Sequence, residues 1–279
     1  MFGRDGNAVA LVHTMYEEFY GLREKPFNKT PDPRFLYESV KHAEALARLQ
    51  HAVEEQDFVL LTGEIGSGKT TLSRALIDSL SEGYHPALII NPRLSPSQLL
   101  RTVALRLGVN ESDRYRHDIL EGINARLYEL YEAGRKPVII IDEAQLIPGR
   151  APFEELRLLT NFQLDDRNLL ALVLMGQTEL KERLERRPYR ALRQRIGMQY
   201  HLGPLNAEET RGYVLHRLKI AGRDAPLFDD AALGALFEHS GGVPRRINIL
   251  AGNALIEGFG RGAEVVDAEI IEDVARDGA

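Results

Sequence analysis

Eight consecutive residues, Gly63-Glu-Ile-Gly-Ser-Gly-Lys69-Thr70, carry three glycines, a lysine and a hydroxyl at the spacing G-x-x-x-x-G-K-[ST]. Gly63, Gly66 and Gly68 let the backbone curl until successive N–H groups face phosphate oxygens. Lys69 is then expected to reach the β- and γ-phosphates of a nucleotide, and the Thr70 hydroxyl to ligate Mg²⁺. Glu64, Ile65, Ser67 and Thr71 complete the predicted binding segment. A glycine-rich turn with a chance lysine would share this composition. It would not share the placement, between the apolar run Phe58–Leu61 and a helical stretch Thr70–Leu80 whose N-terminus favours an anion.

A second cluster follows the run Val138-Ile-Ile-Ile, where Asp142 and Glu143 sit at the end of a predicted strand. Ligands of open α/β sheets bind outside the carboxyl ends of the strands. Asp142 is therefore expected to hold Mg²⁺ and Glu143 to polarise an attacking water, with two solvated acids as the plain alternative. Paired acids favour hydrolysis over transfer to a second substrate, because a water must be positioned. Gln177, after the run Leu170–Met175, is placed to touch the γ-phosphate or that water, and equally suits a helix start.

Two groups of arginines lie further on. Arg186, Arg187, Arg190, Arg193 and Arg195 read by default as a solvated basic helix. The functional alternative has one of them entering a neighbouring subunit's nucleotide site, Arg195 first and Arg193 second. Gly241-Gly-Val-Pro244-Arg245 opens another helix, and a cation at a helix N-terminus is unfavourable unless it meets an anion such as phosphate. A simple salt bridge is the competing role for Arg245.

The elements that must position these residues alternate. Five short runs, Phe58–Leu61, Ala87–Ile90, Val138–Ile141, Leu170–Met175 and Gln199–Leu202, predict strands. The first four are continuously apolar, as strands buried on both faces are. Helical spacing marks Val40–Glu55, Thr70–Leu80, Pro96–Leu107, Asp118–Ala133 and Phe153–Leu164 between them. Alternation of this kind predicts an α/β fold on a five-stranded parallel sheet. After Pro204 the text turns wholly helical: Ala207–Ala221, Asp229–His239, Arg245–Gly258 and Val266–Arg276. The predicted division is a flexible tail 1–14, a nucleotide-binding domain 15–204 with a proline-marked leader Tyr20–Pro33, and a helical lid 205–279. Met15 is an alternative start, and Phe35 and Tyr37 are candidates to flank an adenine, although plain packing is the commoner role of such residues.

Composition bounds the rest. The 279 residues have 35 Lys+Arg against 41 Asp+Glu, a net charge of −6, which does not suit a general polyanion binder. Without cysteine there is no disulfide framework, thiolate zinc site or thiol nucleophile, and a cytoplasmic location is expected. The eight histidines show no metal-ligand spacing, and no apolar run approaches the ~20 residues of a membrane span.

Taken together, the phosphate loop, Asp142-Glu143, Gln177, Arg195 and the Gly-Val-Pro-Arg245 turn resemble an AAA+ ATPase. More closely, Tyr20-Gly-Leu-Arg-Glu-Lys-Pro-Phe27, Thr30-Pro-Asp-Pro-Arg-Phe-Leu-Tyr37, Asp142-Glu-Ala-Gln145 and Arg193-Gln-Arg-Ile-Gly-Met-Gln-Tyr-His-Leu-Gly-Pro-Leu205 resemble the general secretion pathway protein A (ExeA-like) family. The resemblance implies a P-loop NTPase with a helical lid that works as a homo-oligomeric ring or filament. It makes Arg195 a finger acting in trans and Arg245 a lid sensor. The same branch resembles ATPases that help transposases choose DNA targets, so duplex DNA is the alternative partner to a secretion or pilus-biogenesis protein. Secretion-type members often continue into a membrane helix and a cell-wall-binding domain, and these 279 residues contain neither, which leaves a shorter helper as an expectation. A kinase built on the same loop is disfavoured by Glu143 and the lid. A scaffold without turnover is disfavoured by the intact Lys69, Asp142 and Glu143.

Overall fold

The computed structural model describes residues 16–28, 32–109, 115–165 and 167–278. The predicted tail 1–14 and the alternative start at Met15 lie outside these residues. The chain forms two compact units: one is built from Val40–Glu64 and Lys69–Leu202, the other from the leader up to Ser39, Ile65–Gly68 and the chain from Gly203 onward.

The first unit is a five-stranded, all-parallel sheet. Its strands are β1 (Phe58–Gly63), β2 (Tyr84–Ile89), β3 (Lys136–Ile141), β4 (Ala171–Gly176) and β5 (Met198–Leu202), in the spatial order β2-β3-β4-β1-β5. Every residue of β1 and of β4 is buried. The reason is visible in how alternate side chains divide. Leu60, Ile139, Ile141, Leu172 and Leu174 enter one core, while Val59, Leu61, Val138, Ile140, Val173 and Met175 enter another. Each face is apolar, so the alternation disappears from the sequence. Fully burying one such side chain contributes about 1.5–3 kcal/mol, so these strands carry much of the unit's stability.

A helix, α1 (Val40–Glu54), precedes β1, and helices fill the crossovers: α2 (Lys69–Ser79), α3 (Pro96–Leu107), α4 (Arg116–Glu132), α5 (Ala151–Leu159), α6 (Thr178–Glu185) and the single turn α7 (Arg190–Arg193). Ser95 and Gln98 close a reciprocal capping box on α3, and Gly108 ends it in the left-handed region at φ 86°. One predicted helix is too long. Phe153–Leu164 was expected, yet α5 stops at Leu159 and Gln163 makes an antiparallel bridge with Asn168. Phe162 and Leu164 still pack against the core, so their apolar spacing reports core contact rather than helix. The predicted basic helix is likewise a 3₁₀ turn, Arg187–Tyr189, followed by the one-turn α7.

In the second unit, α8 (Ala207–Ile220), α9 (Asp230–Ser240), α10 (Pro244–Arg261) and α11 (Ala268–Asp277) surround their own core. Asn206, Asp229 and Asp267 cap α8, α9 and α11 with their side chains. Val266, expected to begin the last helix, instead pairs with Phe228 in an isolated parallel bridge and is fully buried. The leader also belongs here. Tyr16, Tyr20, Leu22 and Phe27 are part of this helical core, Arg23 N–H donates to Ala221 O at 2.8 Å, and Tyr20 Oη donates to Ala263 O at 3.0 Å. The sequence division had put the leader with the sheet, beside which it stands in the chain. Phe35 is buried under the Arg217 guanidinium, 4.7 Å from the ring centre, and Tyr37 meets Tyr213 and His216 edge to face or tilted. Both aromatics are packing residues of this unit.

Arg217 anchors that packing. It is 5% exposed, and its Nε donates to Pro26 O at 2.6 Å and its Nη1 to Tyr213 Oη at 2.6 Å. Tyr213 Oη passes a hydrogen bond to Asn248 Oδ1 at 2.8 Å, and burial pushes the Tyr213 phenol up from its ordinary pKa.

Candidate active site

Register explains why the site residues meet. Leu61 pairs with Met175 and Ile141 with Leu174, so β1, β3 and β4 end side by side and release Gly63, Asp142 and Gln177 at one edge. Beyond β1 the chain turns through Gly66 at φ 82° and Gly68 at φ 101°, both in the left-handed region that glycine adopts at no steric cost. Gly66 is constrained a second time. A Cβ there would lie 2.3 Å from Arg245 Cβ, and Arg245 N–H donates to Gly66 O at 3.2 Å. Ser67 is buried, while Glu64 and Ile65 are exposed.

Lys69 then opens α2. Only 5% exposed, it donates from Nζ to Gly63 O at 2.8 Å and Glu64 O at 2.7 Å. Burial pulls its pKa below the ordinary lysine value, against the opposing fields of Glu143 and Asp142. Next to it, Thr70 Oγ1 donates to Asp142 Oδ2 at 2.7 Å, and Thr71 follows half-buried. Asp142 is 1% exposed. Burial pushes its carboxyl up, opposed by the hydrogen bonds from the Thr70 hydroxyl and from Glu143 N–H, the latter at 2.8 Å.

These residues fit a nucleotide with a divalent cation. A buried ammonium whose charge is disfavoured by burial gains from an incoming phosphate. A hydroxyl and a carboxylate in mutual contact offer hard oxygen ligands. Among the described residues no three His, Cys, Asp or Glu gather into a metal cluster, so an ion here would need phosphate and water oxygens as well, which is the habit of Mg²⁺.

Glu143 sits at φ 55° and ψ 37°, left-handed without being glycine, a conformation that costs roughly 1–2 kcal/mol. That turn sends the chain into a 3₁₀ segment, Ala144–Leu146. It also brings Glu143 Oε2 to two amides: Gln145 Nε2, in a short contact, and Gln177 Nε2, at 3.3 Å. Gln177 is the N-cap residue of α6, with its own side chain turned to Glu143 rather than to the helix. The sequence assigns Gln145 no role of its own beyond its place in the stretch Asp142-Glu-Ala-Gln145, because the left-handed turn at Glu143 is not legible in residue types.

Arg195 lies elsewhere in the sheet unit. Its Nη2 donates to Asn161 Oδ1 at 2.7 Å, and it lines a small cavity with Asp57, Phe58 and Leu172, at the amino ends of β1 and β4. The length of β1, Phe58–Gly63, separates that end from Gly63, about 17 Å at roughly 3.3 Å per residue. The structure therefore does not bring Arg195 to Lys69 and Asp142 within one chain. Arg193 is exposed. Arg245 is exposed too, in the first turn of α10 after the N-cap Val243.

A parallel sheet in this order, a glycine loop opening α2 and an Asp-Glu pair at the end of β3, with β4 between the two, define an AAA+ P-loop fold. Residues 51–184 match the family described as AAA domain, a span that includes Lys69, Asp142 and Gln177 and stops before Arg195 and Arg245. The particular relative is General secretion pathway protein A of Aeromonas hydrophila, 42% identical over 255 residues, which make up 90% of this chain and 46% of that protein. The chain thus spans about half the length of the curated relative it matches. Among solved structures, the ORC2 protein of Aeropyrum pernix in ADPNP-ADP complexes aligns with a TM-score of 0.67 at 18% identity, covering 91% of this chain and 71% of that one. Drosophila ORC bound to DNA aligns with a TM-score of 0.67 at 16% identity, over 90% of this chain and 63% of that one. Identities this low carry the fold alone.

Proposed function

We propose that this protein binds ATP with Mg²⁺, hydrolyses it, and uses its nucleotide state to control self-assembly and contacts with a partner protein. The observation that carries the reading is the Thr70–Asp142 contact beside the buried Lys69, at the carboxyl edge of a parallel sheet. Lys69 and the N–H groups of residues 63–71 hold the phosphates, Thr70 and Asp142 hold the metal, and Glu143 orients the water with Gln177 beside it. When bound, Mg²⁺ would offset charge on the β- and γ-phosphate oxygens. Arg195, remote from its own chain's site, acts on a neighbour's nucleotide, and Arg245, whose N–H donates to Gly66 O of the loop, reads the phosphates. Secretion or pilus biogenesis, in the cytoplasm where ATP resides, is the proposed setting, supported by the name and identity of the curated relative.

A second reading, an ATP-dependent DNA-binding regulator of transposition, has one observation in its favour. Among the described residues no carboxylate pairs with Arg186, Arg187, Arg190 or Arg193, which leaves a basic surface on an acidic protein. Hydrolysis measured with and without duplex DNA separates the two, since only the second expects stimulation.

The central test is Glu143→Gln, which removes the charge while keeping the shape. ATP and Mg²⁺ should still bind, hydrolysis should fall by about 10²–10⁴-fold, and sizing with ATP should show longer-lived oligomers than the wild type. Normal hydrolysis in this variant would sink the assignment.

A further inference from the structure

Two amides converge on one carboxylate oxygen of Glu143, and they are also joined to each other. Gln145 Nε2 donates to Glu143 Oε2, Gln177 Nε2 donates to the same atom at 3.3 Å, and Gln177 backbone N–H donates to Gln145 Oε1 at 3.1 Å. The Gln145 side chain thus bridges the segments that follow β3 and β4, donating at one end and accepting at the other. Gly176 makes room for it: a Cβ there would lie 2.9 Å from Gln145 Oε1 and 2.6 Å from Leu180 Cδ2.

The turn that carries Gln145 is pinned from behind. Arg183, on α6, donates from Nη1 to Ile147 O at 2.7 Å and Gln145 O at 3.5 Å, and from Nη2 to Gly149 O. Its guanidinium lies 4.8 Å from the Phe153 ring centre and 5.3 Å from that of Tyr189, whose hydroxyl accepts Arg183 Nε at 3.0 Å. A planar cation set against two touching rings fixes three carbonyls of one turn.

We propose that Gln145 is a positioning residue for Glu143, holding its carboxylate in register with Gln177, and that Arg183 fixes the turn from which Gln145 acts. This rests on the hydrolytic role proposed for Glu143. A glutamate side chain has three torsions and loses up to about 2 kcal/mol of rotamer freedom when ordered, so an unanchored base is rarely in line with a water. An amide is the side chain that suits position 145. It satisfies the Gln177 N–H and the Glu143 carboxylate together and leaves the negative charge of Glu143 available. A carboxylate at 145 accepts only and repels Glu143. An apolar side chain of equal length fills the space and bonds to neither.

The test uses Gln145→Met and Gln145→Glu in the full chain, read in two independent ways. In nucleotide-free protein, exchange of the Gln177 backbone amide, followed by NMR, should quicken about five- to tenfold in Gln145→Met, the loss of one hydrogen bond. In the ATPase assay, kcat of Gln145→Met should fall on the order of 10²-fold with the ATP dissociation constant within about twofold of wild type, the pattern of a misplaced group rather than a lost binding contact. Gln145→Glu should fall at least as far. Unchanged Gln177 exchange in Gln145→Met overturns the bridge. Quickened exchange with an unchanged kcat overturns the positioning role. A wild-type protein without Mg²⁺-dependent ATP hydrolysis overturns the proposed function and the catalytic half of this inference, while the exchange measurement still decides the bridge.

Discussion

Lys69 and Arg217 are buried to the same extent, each 5% exposed, and their surroundings could hardly differ more. Lys69 stands at the mouth of a strand, its charge disfavoured by burial, with backbone carbonyls for hydrogen-bond acceptors. Arg217 lies under the leader, held by a carbonyl, a phenol and two ring faces. Lys69 lies in the fields of Asp142 and Glu143 beside the glycine loop, whereas Arg217 ties the leader to α8. Burial of a charge therefore does not by itself mark a functional site. What separates the two is which parts of the chain each cation holds.

A third cation sharpens the contrast most strongly. The Arg195 side chain is exposed and donates to an amide oxygen, so its replacement should leave the fold and nucleotide binding intact. Arg195→Ala should nevertheless slow ATP hydrolysis by roughly 10³-fold or more, the scale of arginines acting in trans. Mixing it with inactive Lys69→Ala subunits, which still carry Arg195, should restore part of the rate. Co-assembled mixtures that stay inactive would show that Arg195 contributes nothing between subunits.

Arg217→Met should act on stability instead. Met keeps the stem but leaves Pro26 O and the Tyr213 hydroxyl without their donor, at a cost of about 2 kcal/mol. Chemical denaturation of the nucleotide-free protein measures it, and a loss below about 0.5 kcal/mol would remove the architectural half of the comparison. The smallest effect on stability falls at Lys69. Lys69→Met discards a charge that burial disfavours but leaves Gly63 O and Glu64 O without their donor, so nucleotide-free stability should change by no more than about 1 kcal/mol near neutral pH while hydrolysis is abolished. Because the folded pKa of Lys69 lies below the ordinary lysine value, the unfolded wild-type chain binds more protons across the interval between them, and wild-type stability rises with pH through it. The stability of Lys69→Met relative to wild type is therefore highest below the folded pKa and declines toward the ordinary one. A relative stability that grows with pH would contradict the burial argument.

Much of this was legible in residue order because the physics was local. Strands buried on both faces announced themselves as unbroken apolar runs, and the edge strand β5, with Gln199 and His201 exposed, matches the short run Gln199–Leu202. The loop carrying Lys69 and Thr70 and the pair Asp142-Glu143 were visible because strand ends and helix starts fix where such residues go. The convergence of Asp142 on Thr70 followed from strand order, which local patterning does not encode. What was illegible depended on distant partners. Nothing near Tyr20 or Phe27 says that their neighbours lie beyond residue 204. Nor does any local pattern show that Glu143 turns left-handed and so hands its carboxylate to Gln145.

The leader's place in the helical core also sets a clock. Tyr20 bonds to a carbonyl 243 residues later, and a ribosome adding about 5–20 residues per second reaches that partner only after roughly 10–50 s. For that interval Tyr16, Tyr20, Leu22 and Phe27 wait for a core whose other residues are not yet made. The parallel sheet, complete by Leu202, can form while they wait. A chain released early would thus carry a finished sheet and four orphaned apolar side chains ahead of it, the kind of signal that chaperones and proteases read.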